Sequence, residues 1–168
     1  MKILYLIRHA KSSWNEEGLS DFERPLNHRG KHDAPFMGKL LKEQKVTADK
    51  IISSPAVRAY TTARIIASEI NYPVEKIETD KNIYEASPRE LLDIIQEVPD
   101  SVNTLMLFGH NPGFTMLNNY LSGRQVDNIP TCGISKIEFD VDSWKDVNIN
   151  TGRLAAFEFP KKYFKHGS

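Results

Sequence analysis

The chain has 168 residues, of which 40% are hydrophobic and 26% charged, with 22 basic and 22 acidic side chains. This length and hydrophobic content predict one domain over residues 1–168 with an ordinary buried core. The balanced charge excludes a strong overall field toward nucleic acid or an acidic membrane surface. We therefore expect neither as a partner, and we expect any anion to be bound locally.

The cysteine content and the amino terminus bear on the cellular compartment. The single cysteine, Cys132, excludes an intrachain disulfide and a cysteine-based zinc cluster, and it is typical of a reducing compartment. We expect Cys132 to be a small buried apolar residue. The apolar run at residues 3–7 is too short for a secretory signal or a membrane span, so a cytoplasmic location is expected.

Strand-like runs alternate with helical stretches over most of the chain, and this alternation predicts a largely parallel sheet covered by helices on both faces. The first helix is expected to begin near Asp33 and Pro35, and Pro112 and Gly113 are expected at a turn and a helix start. The predicted strands are 2–8, 50–53, 74–79 and 104–108, and the predicted helices are 30–44, 56–70 and 88–98.

The last third of the chain has a different pattern. Residues 134–141 and 153–159 alternate or run apolar at strand length without a helix between them, which predicts an antiparallel pair. The predicted fold class is therefore α/β, a three-layer α/β/α sandwich with a mainly parallel central sheet and an antiparallel C-terminal strand pair.

Two histidines follow predicted strands at the point where each strand ends. Arg8 and His9 come directly after the first strand, and His110 follows the strand that ends near Phe108. Open α/β sheets bind ligands at the carboxyl ends of their strands. Arg58 falls in the first turn of the helix after the second strand, where free backbone N–H groups favour a phosphate. The set predicts phosphoryl transfer through a histidine.

The chemistry of these side chains gives each of them a role. A neutral His9 is a competent nucleophile when its other ring nitrogen is held by an acceptor. The guanidinium groups of Arg8 and Arg58 fit phosphoryl oxygens, and a protonated His110 would donate to the same oxygens. Three cationic donors can replace a metal, and the sequence has no metal-ligand spacing, so we expect no metal and no cofactor.

Further candidates lie in two polar segments. Ser12 and Asn15, in the long polar stretch 11–29, would add hydrogen bonds to the phosphate or substrate, or would have only turn roles. Glu85 is the candidate acid for a departing alkoxide, and the alternative is a solvated glutamate near a helix start. Because a protonated P–N leaving group needs less help than an ester, Glu85 bears on the substrate class.

Four sequence blocks, in order, resemble the histidine phosphatase (phosphoglycerate mutase-like) superfamily over roughly residues 1–125. The blocks are Arg8-His9-Ala10-Lys11-Ser12-Ser13-Trp14-Asn15, Pro25-Leu26-Asn27-x-x-Gly30, Ser53-Ser54-Pro55 with Arg58-Ala59 and Thr62-Ala63, and Gly109-His110. Ala10 stands where the family has glycine, which is tolerated at negative φ, and Asn27 stands where it has threonine. The short length and the form Arg-His-Ala-Lys-Ser are most similar to the small bacterial phosphohistidine phosphatases of the SixA type.

The resemblance and the residues together lead to three hypotheses. The first is a metal-independent phosphatase that forms a covalent phosphohistidine on His9 and acts on phosphohistidine in a phosphoprotein. The second is a phosphomonoesterase for a small phosphorylated substrate, such as a sugar phosphate, with Glu85 as the acid. The third is a non-catalytic module that binds phosphate or a phosphoprotein. The presence of both His9 and His110 argues against the third, since a binder needs no nucleophile.

Overall fold

A mixed sheet of six strands forms the middle layer, in a computed structural model that describes residues 1–14 and 17–165. The strands are β1 (Lys2–Arg8), β2 (Lys50–Ser53), β3 (Glu78–Thr79), β4 (Thr104–Gly109), β5 (Ile134–Phe139) and β6 (Gly152–Glu158). Their order is β3-β2-β4-β1-β5-β6. The first four are parallel, β5 is antiparallel to β1, and β6 is antiparallel to β5. The predicted parallel sheet with an antiparallel C-terminal pair is confirmed.

Helices cover both faces of the sheet and complete the predicted three layers. They are α1 (His28–Glu43), α2 (Val57–Glu69), α3 (Pro88–Gln96) and α4 (Gly113–Ser122). Because side chains alternate along a strand, Leu4 and Leu6 pack with α3 and α4, whereas Tyr5 and Ile7 pack with α1 and α2. Cys132 lies fully buried in the second of these clusters. Within residues 1–14 and 17–165, none of the helices has the length and apolarity to cross a bilayer.

The first helix begins earlier than predicted. Asn27 is its N-cap, and the Asn27 side chain accepts a hydrogen bond from the backbone N–H of Gly30, so α1 starts at His28 rather than near Asp33. Pro35 lies inside the helix instead of at its start. Asn27 thus caps the helix, a role that a threonine side chain can also perform. The helix continues past Pro35, which the sequence pattern placed at its beginning.

The predicted strand at 74–79 is wrong over its first half. Val74–Lys76 forms a 3-10 turn directly after Pro73, and only Glu78–Thr79 pairs, with Ile52 and Ser53 of β2. Both residues of β3 are exposed, as befits a short strand at the edge of the sheet. Val74 and Ile77 instead pack on the cluster beneath α1 and α2, which explains their apolar character without a strand.

The sheet order brings three chain segments to one edge. β4 lies between β1 and β2, with Arg8 opposite Gly109 and Ser53 opposite Phe108. The carboxyl ends of these three parallel strands therefore lie side by side. Gly109 is required by close packing there, because a Cβ atom would come within 2.6 Å of the Phe114 ring.

Candidate active site

A cavity of about 270 Å³ opens at the carboxyl ends of β1, β2 and β4. The structure brings together there the four side chains for which the sequence predicts phosphoryl chemistry, namely Arg8, His9, Arg58 and His110. The other lining residues are Lys11, Ser12, Trp14, Arg24, Asn111 and Thr131. Arginine, lysine and histidine side chains predominate in this lining, so it is suited to an anion.

His9 is held in one tautomer by its own chain. The Nδ1 atom lies 2.7 Å from the carbonyl oxygen of Ala10, and a carbonyl only accepts, so Nδ1 carries the proton and Nε2 keeps its lone pair. His9 is only 7% exposed. Burial, reinforced by the nearby His110, Arg58 and Arg8, lowers the pKa of His9 to about 3, although the bond to Ala10 opposes this shift. The imidazole is thus neutral at pH 7, as a nucleophile requires.

His110 faces His9, with the two ring centroids 5.2 Å apart. Its Nε2 lies 2.8 Å from the hydroxyl of Ser54, which follows β2. Burial, followed by the charge of Arg58, lowers the pKa of His110 to about 4, so this ring is also neutral in the free site at pH 7. The sequence analysis expects a protonated His110. This state would need an anion in the cavity, because a nearby negative charge favours the charged imidazole.

Three buried nitrogen atoms at this cavity lack a hydrogen-bond partner within residues 1–14 and 17–165. They are Nε of Arg8, Nε of Arg58 and Nδ1 of His110. Other nitrogens of the two guanidinium groups have partners: Nη1 of Arg8 donates to the carbonyl of Ile129, and both terminal nitrogens of Arg58 donate to Asp21. A buried N–H group without an acceptor is costly, and such groups in proteins call for an explanation. An anionic ligand with several oxygens would supply acceptors for the two arginine N–H groups, and for Nδ1 of His110 when that nitrogen carries a proton.

The three remaining predicted site residues lie in different places. Ser12 lines the cavity, and its hydroxyl accepts a hydrogen bond from Arg24 at 2.6 Å. Asn15 lies outside the described residues. Glu85 is exposed, has a φ of 57°, and lines an adjoining cavity of about 390 Å³ rather than the one that contains His9. The two cavities share His110 and Asn111.

Three polar residues at the site escape the sequence analysis. Asp21 and Arg24 belong to a short 3-10 turn (Asp21–Glu23) and its C-cap, within the polar stretch 11–29, and their side chains are 3.0 Å apart. Tyr84 donates a hydrogen bond to Asp21 at 2.5 Å, and the ring of Tyr84 contacts that of His110 edge-on. The polar character of residues 11–29 indicates a functional loop that includes Asp21 and Arg24, but it does not distinguish these two residues from their neighbours.

The two positions at which the chain departs from the family blocks are accommodated locally. Asn27 caps α1, as described above. Ala10 is not among the residues with positive φ, so its methyl group introduces no backbone strain. Its backbone N–H donates to the hydroxyl of Thr62 in α2.

Among the residues that the structure describes, no three histidine, cysteine, aspartate or glutamate side chains are grouped so that they could hold a metal ion.

Comparisons with known proteins agree with this arrangement. The profile of the histidine phosphatase superfamily (branch 1) matches residues 4–101. An uncharacterized protein of Mycobacterium tuberculosis is 30% identical over 165 residues, which covers 92% of this chain and all of that protein. The mitochondrial serine/threonine-protein phosphatase Pgam5 of Drosophila ananassae is 38% identical over 85 residues, 51% of this chain and 29% of its own length.

Solved structures share the fold over nearly the whole chain. The crystal structure of SixA from Agrobacterium tumefaciens, a predicted phosphohistidine phosphatase, has a TM-score of 0.81 and 27% identity, and the match covers 95% of this chain and 98% of that one. The protein histidine phosphatase SixA in complex with tungstate has a TM-score of 0.83 at 21% identity, with the same coverage. Because the identity to this second structure is only 21%, the match is evidence for a shared fold alone.

A three-layer fold with paired histidines and arginines at the strand ends defines a phosphatase of the phosphoglycerate mutase-like class. The chain belongs to the histidine phosphatase superfamily, branch 1. Within that superfamily it is SixA-like, as the structural match over nearly the whole chain indicates.

Proposed function

We propose that the chain is a metal-independent phosphatase that forms a covalent phosphohistidine on His9 and takes phosphohistidine in a phosphoprotein as its substrate. The proposal rests on one arrangement. A neutral imidazole with a free Nε2 lies at the same cavity as three buried nitrogen atoms that have no hydrogen-bond partner among the described residues. The names of the SixA relatives support the substrate class, since they describe histidine phosphatases.

In the first step, Nε2 of His9 attacks the phosphorus atom with its lone pair. The new bond joins Nε2 to phosphorus, and the bond from phosphorus to the substrate imidazole breaks, so that its electron pair stays on that imidazole. Charge on the three phosphoryl oxygens is stabilised by N–H groups of Arg8, Arg58 and His110. These donors are already fixed by the protein, so little reorganisation accompanies the reaction.

In the second step, water attacks the phosphorus atom on His9. The bond from phosphorus to Nε2 breaks, and inorganic phosphate leaves with both protons of the water. His9 returns to the neutral state with its Nδ1 proton still directed at the carbonyl of Ala10. Because that hydrogen bond persists throughout, the same tautomer is ready for the next cycle.

The leaving group favours phosphohistidine over an ester. An imidazole that carries a proton leaves readily, whereas an alkoxide needs a proton from the enzyme. Glu85 is exposed and lines the adjoining cavity, and it does not line the cavity that contains Arg8, His9 and Arg58. A phosphorylated protein is accordingly the proposed partner.

The proposed location is the cytoplasm. The single cysteine of the chain, Cys132, is buried and free, which fits the reducing conditions there.

A small-molecule phosphomonoesterase is the second candidate. It is favoured by one observation, namely that the cavity lined by Glu85 shares His110 and Asn111 with the main cavity. A leaving alcohol in the adjoining cavity would lie on the same side as the Glu85 carboxyl group, which would then supply the proton.

The test is phosphate release by EDTA-treated protein from a phosphohistidine-bearing protein and from a panel of phosphomonoesters, with His9→Ala as the control. We expect His9-dependent release that favours phosphohistidine. Brief reaction with labelled substrate is expected to leave a phosphoryl group on the wild type that survives alkali and is lost in acid. Preference for an ester would support the second candidate, and equal, negligible rates in both proteins would support a binding module.

A further inference from the structure

Asp21 accepts hydrogen bonds from two of the arginines that line the cavity, Arg24 and Arg58. Its Oδ1 accepts from Nε of Arg24 at 3.0 Å, and its Oδ2 accepts from Nη2 of Arg58 at 3.0 Å and from the Tyr84 hydroxyl at 2.5 Å. Its backbone carbonyl accepts from Nη1 of Arg58 at 2.6 Å. One residue therefore ties together three segments that are distant in the sequence.

The carboxylate of Asp21 is unsuited to proton transfer. The hydrogen bond from Tyr84, together with the charge of Arg58 and hydrogen bonds from Arg24 and Arg58, lowers the pKa of Asp21 to about 2. The group is thus ionised at any pH at which the enzyme would work. Asp21 is also not among the residues that line the cavity with His9. Asp21 therefore acts from outside the cavity, through the arginines that it holds and through its charge, which opposes the lowering of the pKa of His110.

The effect on Arg58 follows from the geometry of a guanidinium group. Asp21 occupies one N–H on each of the two terminal nitrogens of Arg58, and the Nε atom is buried without a partner in the part of the chain that the structure describes. Because the five N–H groups of an arginine lie in one plane, holding its outer end fixes the direction of the rest. The Nε edge is thereby kept available for a phosphoryl oxygen.

Arg24 is fixed in a similar way. Its Nε donates to Asp21, its Nη1 donates to the Ser12 hydroxyl and the Ser13 carbonyl, and its guanidinium carbon lies 3.5 Å from the centre of the Trp14 ring. Arg24 is 8% exposed and lines the cavity. A third guanidinium group is therefore held at the phosphate cavity, and Asp21 is the acceptor that it shares with Arg58.

We propose that Asp21 is the positioning residue of the phosphate cavity, which orients Arg24 and Arg58 toward one phosphoryl group and so raises kcat rather than substrate affinity. The proposal rests on the phosphatase function proposed above. Oriented donors matter most in the transition state, where charge on the phosphoryl oxygens changes and geometry is strict. Ground-state attraction of an anion needs only positive charge nearby, and that remains without Asp21.

The test is a steady-state comparison of wild type with Asp21→Asn on the phosphohistidine protein, with inorganic phosphate as a competitive inhibitor. We expect kcat to fall about 100-fold, since a displacement of about 1 Å of a positioned group has that effect. KM and the inhibition constant of phosphate are expected to stay the same or to fall, because a negative charge has been removed from the cavity rim.

Two variants separate the positioning of the arginines from a simple change of charge. Glu23→Gln removes an equal charge from the same short turn, at a residue whose carboxylate bonds to Ser20 instead of an arginine, and is expected to behave like wild type. Asp21→Glu keeps the carboxylate on a longer stem and is expected to recover part of kcat. A loss of similar size in Glu23→Gln would overturn the proposal, since the effect would then reflect charge alone.

The remaining outcomes decide between positioning and binding. A higher KM and a weaker inhibition by phosphate at unchanged kcat would overturn the proposal, as would wild-type kinetics in Asp21→Asn. If Asp21→Asn does not fold, Tyr84→Phe removes one hydrogen bond from Asp21 and decides the question, with lower kcat at unchanged KM supporting the proposal and unchanged kcat overturning it. If the wild type itself releases no phosphate in a His9-dependent manner, the proposed function has failed instead.

Discussion

The backbone N–H of Ala10 donates a hydrogen bond to the hydroxyl oxygen of Thr62 at 3.0 Å, and that hydroxyl in turn donates to the carbonyl oxygen of Arg58 at 2.7 Å. Both bonds are buried, and Thr62 has no exposed surface. A single side chain on α2 thus joins the segment after His9 to the first turn of the helix that carries Arg58. It links the proposed nucleophile to one of the arginines that are proposed to bind phosphate.

Thr62→Val tests this link, because valine has nearly the same shape and no hydroxyl. The substitution leaves the Ala10 N–H and the Arg58 carbonyl without that partner in a buried place, so we expect the free energy of unfolding to fall by about 1–3 kcal/mol. Urea unfolding measures this. Thr61→Val, one residue earlier and half-buried, is the matched control and is expected to change stability by less than about 0.5 kcal/mol.

The pH dependence of stability follows from the lowered pKa of His9. The folded-state pKa of about 3 lies below the ordinary value of 6.5, so only the unfolded chain binds this proton between those two values. The contribution of the neutral His9 to the free energy of unfolding is therefore fully present above pH 6.5, and it is lost progressively as the pH falls toward 3. Between pH 7 and pH 5 this histidine alone should lower the free energy of unfolding by about 2 kcal/mol.

His9→Gln removes the titrating group, so the pH dependence of its free energy of unfolding can be compared with that of the wild type. We expect its free energy of unfolding to decrease less than that of wild type between pH 7 and pH 5, as measured by urea titration at both values. Part of the dependence should remain, because the pKa of His110 is also lowered by burial. Parallel curves for the two proteins would show that burial does not hold His9 neutral.

Arg8→Lys tests whether the shape of the guanidinium group matters beyond its charge. Arg8 donates from Nη1 to the Ile129 carbonyl while its Nε is buried without a partner among the described residues, and an ammonium group cannot serve both positions. We expect kcat/KM to fall about 100-fold or more, the effect of removing one fixed donor to a phosphoryl or oxyanion group.

The matched control for Arg8→Lys is Arg89→Lys, at an arginine whose side chain is 78% exposed and lies 3.6 Å from Asp93. Its kcat/KM is expected to equal that of wild type. Retention of full activity by Arg8→Lys would mean that positive charge at that position is sufficient.

Glu85→Gln separates the two substrate classes. On a phosphohistidine protein, we expect kcat to change less than about threefold, because the leaving imidazole carries its own proton. On a phosphomonoester, loss of a general acid would lower kcat by about 100-fold or more. The ratio of the two effects, measured on the same preparation, identifies the substrate class. A large loss on phosphohistidine would place Glu85 in the chemistry of that reaction as well.

The sequence predicts most of the fold because its apolar runs are long and clearly bounded. Lys2–Arg8 and Thr104–Gly109 are buried strands, and each is followed by a histidine that the pattern places at a sheet edge. Arg58 is placed by the helix pattern that begins beside it. These residues are predictable because their position depends on local sequence and on the general geometry of parallel sheets.

The rest of the site depends on contacts that local sequence does not encode. Asp21 meets Arg58 across 37 residues and Tyr84 across 63 residues, from a 3-10 turn that has no periodic pattern. The acceptor for His9 is a backbone carbonyl, for which any residue type at position 10 would serve. The 3-10 turn at Val74–Lys76 resembles a strand in sequence because apolar β-branched residues also occur where a turn packs on a core.

The position of β4 also affects how the enzyme becomes active during folding. β4 is the neighbour of both β1 and β2, yet the chain reaches it only at Thr104. Before β4 docks, the ends of β1 and β2 have no common strand to hold them in register, and such long-range pairing is a slow part of folding. A nascent chain that has not reached β4 therefore carries Arg8, His9 and Arg58 but lacks the assembled candidate site, so phosphatase activity is expected only after β4 has docked.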